Sequence, residues 1–320
     1  MKHFLINLLP NRIAWFFSRP YVAGDSMDEA IIKIENLWKE GKFSTIDLLG
    51  ESVSKREEVD LMTNIYLELT KKLSKKSKYA SISVKPTALG ITISKNYCLE
   101  NLRKILVSAQ SSDVMVTMDM EDSSLTDITL EIYKELLSEF PTFGIVVQSR
   151  LFRTKNDIIN ILPDNSRVRI CIGIYLEPPE IALTDKKIMK EKIIEYSKLM
   201  LDKNIIVEIA THDDKTVREA LKLFESRKIN KDRVEFQFLL GVPRNKLHNE
   251  LIERGYKVRL YAPFSTHWKY GTAYVKRRFI ENPQMGFYVA KNILANKWIQ
   301  LLILVIFSFF IVLLFLLYSF

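Results

Sequence analysis

The stretch KVRLYAPFSTHWKYGTAYVKRRFIE, residues 257–281, shows the strand-then-helix unit from which most of the chain is built. KVRLYAPF has the length and apolar content of a β-strand and ends around a proline and a serine. The rest predicts a helix with four polar side chains within two turns: Tyr274, Arg277, Arg278 and Glu281. Because residues three and four apart share a helix face, these groups can converge on one ligand. Two adjacent guanidinium groups suit a carboxylate or phosphate, although an Arg-Arg pair alone is also typical of a solvated helix face.

The same unit recurs toward the N-terminus. Apolar runs of strand length occupy residues 43–51, 80–90, 114–121, 143–149, 167–175, 205–212, 234–241 and 257–264. Amphipathic helices are predicted between them at 57–74, 99–109, 125–139, 155–162, 186–201, 216–226 and 246–255. One more helix, at 25–41, precedes the first run and is capped by Asp25 or Ser26. Such alternation predicts parallel strands buried on both faces, in an α/β fold of the (βα)8 barrel type.

Polar residues stand at or near the end of every predicted strand. They are Glu51, Lys85, Asp119, Glu121, Gln148, Tyr175, Thr211, His212, Gln237 and Tyr261. One such residue is readily explained as a turn or capping residue. A polar group after each of the eight runs instead indicates a functional rim, since barrels of this type build their catalytic face where the strands end.

Composition excludes several function classes. The chain has 320 residues and a net charge of +9, spread over Lys-rich helical faces that indicate a solvated surface or attraction to anionic lipid. We find no nucleic-acid-binding motif, P-loop, GxGxxG or nucleophile elbow, and the dispersed histidines predict no metal site. Cys98 and Cys171 have no paired spacing and indicate thiols in a reducing compartment.

The C-terminal segment WIQLLILVIFSFFIVLLFLLYSF, residues 298–320, carries no charge over its 23 residues. A helix of this length crosses about 30 Å of hydrocarbon, and Trp298 and Tyr318 stand near its ends as interfacial aromatics do. We predict a single-pass tail anchor that leaves the main domain, residues 21–295, on the cytoplasmic side of a membrane. Residues 1–20 lack a cleavage site and are predicted to contact membrane or barrel.

The cationic and aromatic rim residues predict a pocket for a small anionic substrate beneath a flat cofactor. The cations are Lys85, Arg169, Arg277 and Arg278, interleaved with Tyr175, Tyr261 and Tyr274. No acid–base dyad is evident, which is typical of hydride transfer to a cofactor that carries the chemistry itself.

Nine fragments, in order over residues 20–295, resemble the proline dehydrogenase family. They are GE with Glu51, VKPTALG with Lys85, DMEDSS with Asp119, VVQS with Gln148, VRICIGIY with Arg169 and Tyr175, ATHD with Thr211, EFQFLLG with Gln237, YAPFSTH with Tyr261 and YVKRRFIEN with Tyr274. The resemblance implies a distorted (βα)8 TIM-type barrel that binds FAD and oxidises L-proline to Δ1-pyrroline-5-carboxylate. It also implies a membrane quinone as electron acceptor and a separate pyrroline-5-carboxylate dehydrogenase downstream.

The resemblance further implies residue roles. Lys85, Arg277 and Arg278 would clamp the proline carboxylate, Tyr261 and Tyr274 would pack the ring, Tyr175 would line the pocket, Asp119 would position the lysine and tyrosine, and Glu51 would close over Arg277. A tyrosine at 274 is typical of proline-specific members. The FAD-contacting positions would be Gln148, Arg169, Gly173, Tyr175, Thr211, His212, Gln237 and Glu281.

Two positions depart from the family pattern. Ile172 stands where the family usually has a cofactor-contacting lysine, and Arg150 stands where many relatives have an aromatic residue. We hypothesise that Arg150 replaces the missing charge. Two alternatives remain open: a flavin oxidoreductase of another cyclic or N-alkyl amino acid, and a catalytically silent membrane-anchored barrel with a binding role.

Overall fold

A closed barrel of eight parallel strands forms the centre of the computed structural model, which describes residues 19–50 and 53–266. The strands are β1 (Phe43–Leu48), β2 (Ala80–Val84), β3 (Met115–Met118), β4 (Gly144–Gln148), β5 (Arg167–Cys171), β6 (Ile206–Ala210), β7 (Val234–Leu239) and β8 (Lys257–Phe264). Each strand pairs with the next in chain order, and β8 closes the barrel on β1, with Thr45 opposite Tyr261. The predicted (βα)8 barrel is confirmed.

Helices alternate with the strands as predicted. They are α1 (Met27–Lys39), α2 (Arg56–Leu73), α3 (Lys95–Ser111), α4 (Thr126–Leu137), α5 (Thr154–Asn156), α6 (Lys186–Asp202), α7 (Asp214–Ser226) and α8 (Asn245–Glu253). The side chain of Ser26, one of the two predicted caps, accepts a hydrogen bond from the Glu29 N–H at the start of α1. The helix predicted at 155–162 differs, because after α5 the chain forms a π-helical turn at Asp157–Ile161.

The side chains along each strand alternate between two chemically distinct faces of the barrel wall. Apolar side chains such as Ile46, Ile82 and Val258 are fully buried and belong to the hydrophobic core shared with the surrounding helices. The intervening polar side chains point into the barrel lumen, since Arg167 of β5 reaches Thr117 of β3 and Arg259 of β8 reaches Ser81 of β2. The lumen is therefore filled by a charged, hydrogen-bonded network.

Seven of the predicted strand runs were too long at their C-terminal ends. Apolar residues continue past the strands into buried loops, as at Leu49, Leu89 and Leu240, so the hydrophobic pattern does not stop where strand pairing stops. After β2 the cause is Pro86, which has no N–H to donate and starts a 3-10 turn at Pro86–Ala88. Six of the described rim residues accordingly lie in loops beyond the strands: Lys85, Asp119, Glu121, Tyr175, Thr211 and His212.

Among the helices of residues 19–50 and 53–266, none combines the length and apolar content needed to span a membrane. The predicted tail anchor and most of the predicted N-terminal segment lie outside these residues, so both stay predictions.

Candidate active site

Asp119 is the centre of a buried polar cluster at the C-terminal mouth of the barrel. Its Oδ2 accepts hydrogen bonds from the Tyr261 hydroxyl at 2.6 Å and from Lys85 Nζ at 3.1 Å. Its Oδ1 accepts from the Ser83 hydroxyl at 2.6 Å and from Arg169 Nη1 at 2.9 Å. One carboxylate therefore fixes the positions of two cations, a phenol and a hydroxyl that come from β2, β5 and β8 or the loop after β2.

Lys85 is held from three sides. Its Nζ lies 2.7 Å from Asp47 Oδ2, 3.1 Å from Asp119 Oδ2 and 3.1 Å from the Tyr261 hydroxyl. The Asp47 side chain is fully buried, and that of Lys85 is only 8% exposed. Two carboxylates compensate the desolvation of the ammonium group, which would be costly for an isolated charge.

The protonation states of this cluster follow from burial and charge. Burial raises the pKa of Asp119, but the adjacent Lys85 and Arg169 outweigh that effect and hold the pKa below its ordinary value. For Tyr261, burial and the neighbouring Asp119 carboxylate both raise the pKa, to well above its ordinary value. At neutral pH the cluster thus contains an ionised carboxylate and a protonated phenol that donates to it.

A second group forms at the ends of β4 and β5. Gln148 Nε2 donates to the backbone oxygen of Glu121 at 2.7 Å, and the Glu121 carboxylate accepts from the N–H and hydroxyl of Thr87 at 2.8 and 2.6 Å. These bonds fix which way the Gln148 amide faces. Gly173 has a φ of +96° and lies so close that a Cβ there would be 2.1 Å from Gln148 Oε1.

The other predicted cofactor residues lie around the same mouth. Thr211 is buried, and its hydroxyl accepts from the Asp213 N–H at 3.2 Å. His212 Nε2 accepts from the Leu239 N–H at 3.3 Å. Gln237 faces the lumen, while Tyr175 is half-buried in the loop after β5. Five predicted site residues lie outside the described residues: Glu51, Tyr274, Arg277, Arg278 and Glu281.

A family model described as "Proline dehydrogenase" matches residues 30–176 and 186–289 of the chain. The chain belongs to the proline dehydrogenase family. It is 31% identical over 303 residues to proline dehydrogenase 1 of Bacillus subtilis strain 168, covering 92% of this chain and 99% of that protein. It is 28% identical over 294 residues to proline dehydrogenase of Deinococcus radiodurans, covering 90% and 94%.

Solved structures agree with this membership. The chain superposes on proline utilization A (PutA) of Bdellovibrio bacteriovorus inactivated by N-propargylglycine with a TM-score of 0.76 and 26% identity. That match covers 83% of this chain and 32% of the PutA chain, so this proline dehydrogenase family member corresponds to about a third of PutA. A PutA structure with proline bound in remote sites matches with a TM-score of 0.70 at 19% identity and shares the fold.

The mouth contains buried polar atoms that fit the FAD implied by the family resemblance. Within the part of the chain that the structure describes, Arg169 Nε and Nη2 and Gln148 Oε1 have no hydrogen-bond partner, although both side chains are buried. Buried donors and acceptors cost free energy unless they are paired. Two cationic donors and one amide acceptor at one rim suit a flat ring with polar edges.

Sequence reasoning missed Asp47 and Glu208 at this site. Asp47 contacts Lys85, and Glu208 lies beneath Arg169. Both residues alternate with apolar neighbours, Asp47 in β1 and Glu208 in β6. Such alternation indicates that one face of the strand is polar, but these runs were interpreted as apolar on both faces.

Gly173→Ala is expected to lower flavin retention and to destabilise the barrel by about 1–3 kcal/mol. A Cβ at this position meets Gln148 Oε1, and alanine is strained at a φ of +96°. The measurement is bound flavin per protein after gel filtration, together with thermal unfolding. Gly255→Ala is the matched control, because Gly255 also has a positive φ but its Cβ would lie 3.4 Å from the flexible end of Lys231. Equal flavin content in the two variants would contradict the prediction.

Proposed function

We propose that this protein is an FAD-dependent proline dehydrogenase that oxidises L-proline to Δ1-pyrroline-5-carboxylate. The observation that carries the proposal is the cluster of Lys85, Asp119, Tyr261 and Arg169 at the mouth of a barrel whose chain belongs to the proline dehydrogenase family. The two relatives named above are called proline dehydrogenases, and the match to this chain covers nearly their whole length.

The substrate carboxylate is bound by cations. Lys85 is oriented by Asp47, Asp119 and Tyr261, so its ammonium group is fixed before a ligand arrives. Arg277 and Arg278 complete the proposed clamp, with Tyr274 packing against the ring and Glu51 closing over Arg277. Charge-assisted hydrogen bonds of this kind fix the orientation as well as the affinity of a small carboxylate.

FAD, when bound, would supply the acceptor chemistry for the two electrons and the hydrogen lost from C5 of proline. Arg169 and Gln148 supply buried polar groups for its ring, and Gly173 leaves the room that the Gln148 amide occupies. The other proposed contacts are Tyr175, Thr211, His212, Gln237 and Glu281. A fixed cation such as Arg169 would favour the reduced cofactor, because negative charge develops on the flavin ring when it is reduced.

The described mouth residues orient the substrate rather than remove its amine proton. Tyr261 keeps its own proton because its pKa is raised, and Asp119 is a weak base because its pKa is lowered. Both oxygens of Asp119 already accept two hydrogen bonds each. Neither Tyr261 nor Asp119 is therefore proposed as the base for the amine proton that is lost as the C5=N bond forms.

The proposed acceptor of the electrons is a membrane quinone. Residues 298–320 would anchor the barrel at the cytoplasmic face of the membrane and so raise the encounter rate with a lipid-soluble acceptor. A separate pyrroline-5-carboxylate dehydrogenase would consume the product.

Arg150→Ala is expected to weaken FAD retention. Arg150 lies in the loop that follows β4, where its backbone N–H donates to the Ile172 backbone oxygen at 3.2 Å, and its buried side chain reaches Met189, with Nη2 4.0 Å from Sδ. The measurement is the dissociation constant of FAD from flavin fluorescence during reconstitution. Arg153→Ala is the control, since Arg153 lies on the same loop but is bound by Asp127 and Asp157. An unchanged dissociation constant in Arg150→Ala would remove the hypothesis.

Steady-state oxidation of a panel of amino acids with an artificial electron acceptor tests the proposed function. We expect kcat/KM for L-proline to exceed that for 4-hydroxyproline and N-methylglycine by at least about tenfold. A preference for either of the others would favour a relative that acts on a different amine. No oxidation of any of them, with no flavin bound, would favour a silent barrel and overturn the proposal.

A further inference from the structure

The lumen beneath the mouth contains a buried carboxylate, Glu208 of β6, that has no assigned role. Glu208 Oε1 accepts from Arg167 Nη1 at 2.6 Å, and Oε2 accepts from Gln237 Nε2 at 2.8 Å. Its Oε2 also lies 3.9 Å from Arg169 Nε, which is an ion-pair contact. Glu208 is thus bonded to the interior of the barrel on one side and touches the rim cation on the other.

Glu208 is ionised and desolvated. Burial raises its pKa, but Arg167, Arg169 and Arg259 outweigh that effect and hold the pKa below its ordinary value. The residue is 3% exposed, and Arg169 is 5% exposed. In such surroundings an electrostatic interaction is screened far less than at the surface, so the charge of Glu208 acts strongly on Arg169.

The charges around Arg169 are balanced. In the described part of the lumen, the carboxylates of Asp47, Asp119 and Glu208 face the cations of Lys85, Arg167 and Arg169. Neutralising Glu208 leaves this group with one excess positive charge next to the atoms of Arg169 that have no hydrogen-bond partner there, Nε and Nη2.

We propose that Glu208 is a positioning residue that holds Arg169 in place and offsets its charge, thereby setting how easily the bound flavin is reduced. The proposal rests on the proposed function, in which a flavin lies against Arg169. A group that accepts electrons gains negative charge, so a stronger positive potential at Arg169 favours its reduced form. Loss of the Glu208 charge therefore makes the flavin easier to reduce.

Glu235 offers a matched control within the same network. It is also buried, also accepts from Gln237 Nε2 at 2.8 Å, and is also paired with an arginine, Arg259, at 2.5 Å. It differs from Glu208 in lacking a contact with Arg169, since its described partners are Arg259 and Gln237. Glu208→Gln and Glu235→Gln therefore impose similar costs on folding.

The test is the two-electron reduction potential of the flavin, measured by anaerobic dye-equilibrated titration of the purified full-length holoenzyme. We expect Glu208→Gln to favour reduction at least tenfold over the wild type, a shift of about +30 mV for a two-electron couple. Glu235→Gln should stay within about a third of that shift. Glu208→Asp keeps the charge but moves it away from Arg169 by the length of one methylene. The flavin potential in Glu208→Asp should therefore shift in the same direction as in Glu208→Gln, but by a smaller amount.

An unchanged potential in Glu208→Gln, or equal shifts in Glu208→Gln and Glu235→Gln, would overturn the proposal and leave Glu208 with a structural role. If Glu208→Gln does not fold, the pair Glu208→Asp and Glu235→Asp decides, since only the first should shift the potential. Failure of the proposed function is separately visible, because the wild type would then hold no flavin or a flavin that proline does not reduce.

Discussion

Lys85→Met is expected to lower kcat/KM for L-proline by about 10²-fold or more, because a buried charge-assisted hydrogen bond is worth up to about 3 kcal/mol. In the proposed site this ammonium group binds the substrate carboxylate. Asp47, Asp119 and Tyr261 hold it at distances of 2.7 to 3.1 Å. The change removes both the attraction and the orientation of the ring, so KM should rise and kcat should fall. Steady-state kinetics normalised to bound flavin measure both effects.

The same variant leaves Asp47 and Asp119 without their shared cation, and we expect some loss of stability. The control is Lys95→Met, since Lys95 lies at the start of α3 and pairs at the surface with Glu131. Lys95→Met should keep the wild-type kinetics. A wild-type KM for proline in folded, flavin-loaded Lys85→Met would contradict the assignment of Lys85 to the carboxylate.

Asp119→Asn is expected to lower the free energy of unfolding by about 3–5 kcal/mol, the usual cost of removing one partner from a buried ion pair. The asparagine has no charge to offset Lys85 and Arg169, and only one of its two terminal atoms accepts hydrogen bonds. Chemical denaturation of the two proteins at neutral pH measures the difference. Asp127→Asn is the matched control, because Asp127 is also paired with an arginine but is 77% exposed. Surface pairs of that kind contribute about 1 kcal/mol or less.

The Asp119 effect should depend on pH in a defined direction. The pKa of Asp119 is lower in the folded protein than in the unfolded chain, where a pKa of about 3.9 is ordinary. Its stabilising contribution is therefore complete above about pH 5 and is lost as the pH falls through the folded-state pKa. The difference in stability between wild type and Asp119→Asn should narrow below about pH 4. A difference that stays constant well below pH 4 would show that Asp119 does not contribute through its charge.

The sequence was sufficient to predict the barrel because two signals agreed. Strand-length apolar runs alternated with amphipathic helices, and polar residues stood at or near the end of each run, so both the fold and the rim could be inferred from the sequence. The cluster of Lys85, Asp119, Tyr261 and Arg169 was predicted in its composition. The family resemblance implied that Asp119 positions the lysine and the tyrosine. The bonds of Asp119 to Ser83 and Arg169 and the bond between Lys85 and Tyr261 were not predicted, because they join side chains up to 176 residues apart in sequence.

The charged lumen was missed for a different reason. Runs such as VRICI and IVEIA are dominated by β-branched residues, which favour a strand buried on both faces, and the single charges within them carried little weight. Only the closed barrel shows that Arg167, Arg169 and Arg259 face one interior, where they pair with the carboxylates of Asp119, Glu208 and Glu235. The need for glycine at 173 likewise depends on the position of the Gln148 amide, which sequence alone does not provide.

The most direct test of whether this protein is a flavin-dependent proline dehydrogenase is its visible spectrum. The spectrum of the detergent-solubilised full-length protein is recorded before and after anaerobic addition of L-proline. We expect an oxidised flavin spectrum that bleaches on addition of proline and does not bleach in folded, flavin-loaded Lys85→Met at the same proline concentration. A flavin spectrum in the wild type that proline leaves unchanged would contradict this expectation.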